Sequence, residues 1–82
     1  MKTAILVSKC ESINPANQTA QFTFNGSLCG CIVVSTELKV PQGMSVVVGA
    51  EYLMYVSIGE LKENKLTGTI LKIKELPRAW DL

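Results

Sequence analysis

The sequence predicts an all-β domain that closes into a small five-stranded barrel. Apolar and polar residues alternate with a period of two, no segment keeps a 3.6-residue period, and turn residues divide the chain at short intervals. The chain has 82 residues, which is room for one domain. We place the barrel at residues 1–76 and a short tail at residues 77–82. Closure of the barrel removes the exposed strand edges that favour aggregation.

The first half of the chain predicts three strands. Residues 2–10 are rich in apolar side chains and predict the first strand. Residues 14–17 predict a loop, because they combine proline, which fixes φ, with asparagine, which favours turns. Residues 18–24 alternate between apolar and polar and predict the second strand. The Asn25-Gly26 pair favours a tight hairpin, so we expect residues 28–35 to return antiparallel to the second strand.

The middle of the chain predicts a connector followed by the longest strand. Residues 36–43 can hold one helical turn, but Pro41 excludes a long helix. Residues 44–58 carry apolar side chains at every even position from 46 onwards, so we assign the even positions to the core. Gly49 interrupts this run and indicates a bend or a bulge.

The last predicted strand covers residues 66–76 and follows a charged hairpin tip at residues 60–65. Leu71 and Ile73 share one face of this strand, and Lys72 and Lys74 share the other. Leu66 and Ile70 are out of phase with that pattern, so we expect a bulge near Gly68.

The residue types exclude most catalytic and metal chemistry. The chain has no histidine, which rules out a Ser-His-Asp triad, a Cys-His pair and His-ligated zinc. It has no phosphate-binding loop and no glycine-rich dinucleotide turn. We therefore expect no enzyme, no cofactor and no metal. The three cysteines, Cys10, Cys29 and Cys31, are expected to be small core residues in a reducing cytosol.

Charge and hydropathy point to a cytoplasmic protein that does not act by bulk electrostatics. The apolar run at residues 4–7 is shorter than a signal-peptide core, and no stretch is long enough to span a membrane. The net charge is +1. Five of the eight basic residues lie in residues 60–82, but four of the seven acidic residues lie there too. A binding surface would have to come from how the fold sorts these charges.

Binding of single-stranded nucleic acid is the function that the residues favour, because such proteins combine a basic groove with aromatic platforms. Lys72 and Lys74 form a cationic stripe on one strand face. Tyr55 lies on the mixed face of the longest strand, and Lys39 flanks the stripe. Arg78 and Trp80 extend the set into the tail. The predicted binding residues are Lys39, Tyr55, Lys72, Lys74, Arg78 and Trp80.

Three features carry a resemblance to a known family: the Asn25-Gly26 hairpin, the strand at 46–58, and the strand at 65–76 with its Lys72/Lys74 pair. In these features the chain resembles the small OB-fold single-stranded DNA-binding proteins of phages, plasmids and replication accessory systems. The resemblance implies an OB-like barrel that binds single strands and forms a homodimer. An SH3-like barrel is the alternative fold. The alternative function is a protein-interaction or assembly module, such as a phage or plasmid accessory subunit, which the high apolar content, the low charge and the tail at 79–82 favour.

Overall fold

The computed structural model describes residues 2–24, 26–28 and 30–77, and these residues form seven β-strands and no helix. The prediction of an all-β chain is therefore confirmed. Among these residues no helix could cross a membrane. The strands are β1 (Lys2–Asn14), β2 (Thr19–Phe22), β3 (Gly26–Leu28), β4 (Cys31–Val33), β5 (Ser35–Lys39), β6 (Glu51–Lys62) and β7 (Lys65–Glu75).

Five of these strands close into a barrel in the order β1-β2-β5-β7-β6, and β6 pairs back onto β1. Neighbouring strands are antiparallel except β5 and β7, which run parallel. β3 and β4 form a separate two-stranded hairpin inserted between β2 and β5. The fold is the five-stranded OB-like barrel that the sequence predicts.

The barrel interior is filled by alternate residues of each strand. The even positions of β6 from Tyr52 to Ile58 point inward, and Tyr52, Met54 and Val56 are buried, as predicted. Leu6 from β1 and Leu38 from β5 pack into the same cluster. Burial of each such side chain contributes about 1.5–3 kcal/mol, so the alternation of apolar residues is the main stabilising feature of the fold.

The predicted antiparallel return of residues 28–35 to the second strand is wrong, and so is the predicted connector over residues 36–39; Asn25 itself lies outside the described residues. Gly26 begins β3, and the turn lies further along, where Gly30 has a φ of 81°. β2 pairs with β5 instead of residues 28–35. In residues 35–39 the buried side chains of Thr36 and Leu38 alternate with exposed or half-buried ones. This two-residue period suits a half-buried strand and not a helical turn.

The predicted strand at 44–58 begins only at Glu51. The preceding residues turn: the Met44 N–H donates to the Pro41 carbonyl, and Gly49 has a φ of 93°. The Val47 N–H donates to the Tyr52 hydroxyl at 2.8 Å. This segment is therefore a loop that packs against the core through Met44, Val46 and Ala50, although its even positions are apolar as in a half-buried strand.

The β6–β7 hairpin contains two register shifts. Glu63 and Asn64 at its tip both have positive φ, which suits the twist of a tight hairpin. One shift falls between Ile58 and Glu60, opposite the predicted bulge position at Gly68.

The second register shift was not predicted, and it changes which side of β7 faces outward. Tyr55 pairs with Lys72, whereas Val56 pairs with Ile70, so Leu71 is the extra residue. The prediction that Leu71 and Ile73 share a face is wrong: Ile73 packs against the core, and Leu71 is exposed. The extra residue reverses the inward phase of the strand.

Candidate nucleic-acid interface

The outer surface of β1, β6 and β7 places the strongest predicted binding residues in adjacent rows. Each row contains one residue from each strand, and neighbours in a row are register partners. Partners of this kind have Cβ atoms about 4.5–5.5 Å apart, so their side chains contact each other. The two central rows are Ile5–Tyr55–Lys72 and Val7–Leu53–Lys74.

The bulge at Leu71 determines that Lys72 lies on this surface. Ile70 is buried, and a regular strand would direct residue 72 to the same inward side as residue 70. Because Leu71 adds one residue, Lys72 and Lys74 are both exposed instead. The local irregularity therefore prevents burial of a lysine and aligns it with Tyr55.

Tyr55 provides an aromatic surface at the centre of the rows. Its side chain is 39% exposed, and its hydroxyl donates to Thr3 Oγ1 at 3.2 Å. That hydrogen bond directs the ring from β6 towards β1, where Ile5 is 71% exposed. Val7 and Leu53 extend the exposed apolar area. The arrangement is an apolar surface with a cationic border along β7.

The fold sorts the charges of the nearly neutral chain. We define the cationic–apolar face by the two central rows, the neighbouring pair Lys9–Glu51 and Lys39 at the end of β5. Its charged and apolar members are Ile5, Val7, Lys9, Lys39, Glu51, Leu53, Tyr55, Lys72 and Lys74. Four lysines and one glutamate give this face a charge of +3. The other described residues hold three lysines and five glutamates, a charge of −2.

The outer surface of β2 and β5 has different chemistry. We define the β2–β5 face by its outward residues Thr19, Gln21, Ser35 and Glu37, with Lys65 from the start of β7. Glu37 accepts a hydrogen bond from Thr19 Oγ1 at 3.4 Å and pairs with Lys65 Nζ at 3.5 Å. Beside them a cleft of about 140 Å³ is lined by Glu11 and Gln21 among others. The described part of this face has no exposed aromatic side chain.

The structure brings together three of the six predicted binding residues and places a fourth beside them. Tyr55, Lys72 and Lys74 lie in adjacent rows. Lys39 is the last residue of β5, not a loop residue as predicted, and it is the register partner of Thr69, three positions before Lys72. Arg78 and Trp80 lie outside the described residues.

The contribution of β1 to this face does not follow from its sequence. Ile5, Val7 and Lys9 are outward neighbours of the β6 residues on the face. The alternation within residues 2–10 contains this signal, but the segment is apolar on both sides. Only the pairing with β6 shows which side faces the core.

The described cysteines differ from each other. Cys10 is buried as predicted, its thiol donates to the Ser12 carbonyl at 3.8 Å, and burial raises the pKa of the Cys10 thiol. Cys31 is exposed, contrary to the prediction, because it lies on the inserted β3–β4 hairpin and not in the barrel wall. Cys29 lies outside the described residues. Within the described ranges, no three His, Cys, Asp or Glu side chains lie close enough to hold a metal ion.

No protein-family model, curated protein or solved structure matches the chain.

Proposed function

We propose that the protein binds single-stranded nucleic acid, without catalysis, on the cationic–apolar face. The observation that carries this proposal is the row Ile5–Tyr55–Lys72, which sets an exposed aromatic ring between an apolar neighbour and a lysine. Proteins that bind single strands use this combination of a stacking surface and a cationic track.

Each part of the face has a role in the proposed complex. A base stacks on the Tyr55 ring, and the exposed side chains of Ile5 and Leu53 contact the edges of the neighbouring bases. Lys72 and Lys74 are alternate residues of one strand, about 7 Å apart. A phosphate backbone that runs along β7 passes both lysines, and Lys39 lies further along the same path. The negative charge of Glu51, the register partner of Lys9, ends this path for the phosphate backbone.

The choice of this face over the β2–β5 face rests on charge and exposure. OB-fold barrels commonly bind oligonucleotides on the surface of their second and third barrel strands, which are β2 and β5 here. In this chain Glu37 already occupies that surface and pairs with Lys65. A phosphate would have to displace that carboxylate, and the described residues there supply no exposed ring on which a base could stack.

A titration of fluorescent oligo(dT) tests the proposal. We expect saturable binding that weakens with salt, with a log–log slope of about −2 for three phosphate contacts on a single strand. The double variant Lys72→Glu with Lys74→Glu removes two of those contacts, so it should reduce affinity by roughly tenfold or more and flatten the slope.

The matched control is Lys62→Glu with Lys65→Glu, which changes the net charge by the same amount at the hairpin tip. These two lysines are exposed register partners away from the cationic–apolar face. The control should retain most of the affinity of the wild type. Equal losses in the two double variants would contradict the proposed site, and absence of binding at low salt would contradict the function.

A protein-interaction or assembly module is the second candidate. The exposed apolar side chains of Ile32 and Val34, on and just after β4, favour it. Exposed apolar side chains that lie next to each other mark sites of protein–protein contact when they form a contiguous patch. Absence of oligo(dT) binding, together with loss of binding to a partner protein on replacement of Ile32 by lysine, would support this candidate over the first.

A further inference from the structure

A pocket of about 310 Å³ lies between the β1–β2 hairpin and the loop that follows β5. Ile13 and Pro15 line it from the hairpin, and Val40, Pro41 and Met44 line it from the loop. Its volume is at the lower end of the range for small-molecule sites, which is about 300–1,000 Å³. The pocket therefore has room for one small ring system.

Backbone hydrogen bonds and core contacts hold the walls of this pocket in place. The Val40 N–H donates to the Gln18 carbonyl at 2.8 Å, which joins the loop to the hairpin. The Met44 N–H donates to the Pro41 carbonyl at 3.1 Å, which closes a turn. Val40, Met44 and Val46 also pack against the barrel core. The pocket is therefore largely formed before a ligand binds, as small-molecule sites usually are.

The lining of the pocket is uncharged. None of the ten described residues that line it is acidic or basic, and six of them are aliphatic residues, prolines or methionine. The polar ones include the exposed residues Gln18, Gln42 and Ser45. A phosphate alone would meet no cation in this lining, and an aliphatic side chain would cover the two amides without a hydrogen bond. An uncharged group with apolar faces and polar edges complements it.

Lys39 connects the pocket to the cationic–apolar face. Its register partner on one side is Thr69 of β7, and its partner on the other side is Thr19, which lines the pocket. The next residue along the chain is Val40, another lining residue, with its Cα atom about 3.8 Å from that of Lys39. A phosphate held by Lys39 therefore places an adjoining base beside the pocket.

We propose that the pocket binds one unpaired nucleobase of the strand that lies on the cationic–apolar face. This proposal rests on the function proposed above and deepens it, because it adds a site for a base beyond the Tyr55 ring. The apolar walls contact the faces of the base, and the amides of Gln18 and Gln42 form hydrogen bonds with its edges. A base in a duplex uses those edges for pairing, so the pocket favours single strands.

Titration with thymidine 5′-monophosphate, followed by amide chemical shifts, tests the pocket without any variant. We expect saturable shifts at Ile13, Val40 and Met44, which line it. The matched probe is deoxyribose 5-phosphate, which carries the same phosphate but no base. It should shift only amides near Lys39.

A pair of glutamine variants tests whether the pocket contributes to the binding of a longer strand. Gln42→Glu replaces an amide of the lining by a carboxylate, so it should weaken oligo(dT) binding by roughly threefold to tenfold. The control Gln21→Glu makes the same change on the exposed surface of β2 and should retain most of the affinity. The lost contact is to a base and not to a phosphate, so the salt slopes of the two variants should match.

Each other outcome overturns one proposal. Equal shifts with both phosphate probes would assign the site to the phosphate alone and overturn the base pocket. Shifts with N-acetyl-leucine amide, but not with the nucleotide, would assign the pocket to an apolar side chain of a protein partner and overturn it too. Oligo(dT) binding with equal affinities for Gln42→Glu and Gln21→Glu contradicts only the pocket. Nucleotide shifts at Ile13, Val40 and Met44 without oligo(dT) binding contradict only the function proposed for the cationic–apolar face.

Discussion

The cationic–apolar face and the β2–β5 face belong to one barrel but differ in how their polar groups are satisfied. On the β2–β5 face, Glu37 is paired with Lys65 and hydrogen-bonded to Thr19. On the cationic–apolar face, Lys72 and Lys74 border apolar side chains. A chain with a net charge of +1 therefore presents one surface with a charge of +3, because strand pairing determines which charged residues share a side.

The largest expected effect comes from Gly68, which lies directly against the Ser57 backbone of β6. A Cβ at this position would overlap the Ser57 carbonyl, a backbone atom that cannot move without distorting the ladder. Gly68→Ala should lower the free energy of unfolding by about 3 kcal/mol, as overpacking does. The variant therefore disrupts both faces at once.

Gly26→Ala is the matched control for that variant. An added Cβ at Gly26 meets only the Phe24 ring at 3.7 Å, which is ordinary contact. Its free energy of unfolding should stay within about 0.5 kcal/mol of the wild type. Chemical denaturation measures both variants, and equal stabilities would contradict the close approach of β6 and β7.

Tyr55 is the residue that most distinguishes the two faces in binding. Tyr55→Leu keeps an apolar side chain but removes the stacking surface, which is worth about 1–3 kcal/mol per base. Affinity for oligo(dT) should fall roughly tenfold. Tyr55→Phe loses only an exposed hydrogen bond to Thr3 and should bind nearly as well as the wild type.

Gln21 offers the corresponding test on the β2–β5 face. It is exposed on β2, and Gln21→Leu should leave the affinity for oligo(dT) unchanged in the same titration. A larger loss of oligo(dT) affinity from Gln21→Leu than from Tyr55→Leu would assign binding to the β2–β5 face instead of the cationic–apolar face.

Asn64 links the β6–β7 hairpin tip to the inserted hairpin, away from the cationic–apolar face. Its Nδ2 donates to the Ile32 carbonyl at 2.9 Å, and its φ is 65°. Asn64→Ala loses this hydrogen bond and the tolerance for positive φ, so it should lower the free energy of unfolding by about 1–2 kcal/mol. Asn64→Gly keeps the tolerance for positive φ, so it should lower the free energy of unfolding by less than Asn64→Ala does. Neither change should alter oligo(dT) affinity, and a matching fall in affinity would count against the proposed site.

The smallest effect is the pH dependence of the buried thiol. Burial raises the pKa of Cys10 above its ordinary value of 9.0, so the folded protein holds the proton after the unfolded chain has released it. The contribution of Cys10 to the free energy of unfolding is fully present below the pKa of the thiol in the unfolded chain. It is lost as the pH rises through the pKa of the thiol in the folded protein.

The comparison variant for this effect is Cys10→Ala. Unfolding free energies measured from neutral to alkaline pH should fall less steeply in the variant than in the wild type. Parallel curves would show that the thiol does not ionise differently in the two states.

The sequence predicts those features that depend on local alternation. The buried even positions of β6 and the shared side of Lys72 and Lys74 follow from the two-residue period of a strand. The strand β5 could not be predicted, because the Thr-Glu-Leu-Lys segment shortly before Pro41 has the composition of a connector. Its extended conformation depends on pairing with β2 and β7, which are distant in sequence. Likewise, the bulge at Leu71 and the proximity of Lys72 to Tyr55 depend on register between distant segments, which no local pattern specifies.

A map of amide chemical-shift changes on addition of oligo(dT) distinguishes the cationic–apolar face from the β2–β5 face, because it reports on both in one sample. We expect the shifts to centre on Ile5, Leu53, Tyr55, Lys72 and Lys74, while the amides of Gln21, Ser35 and Glu37 stay unchanged. Shifts centred on Gln21, Ser35 and Glu37, or no shifts at low salt, would contradict binding on the cationic–apolar face.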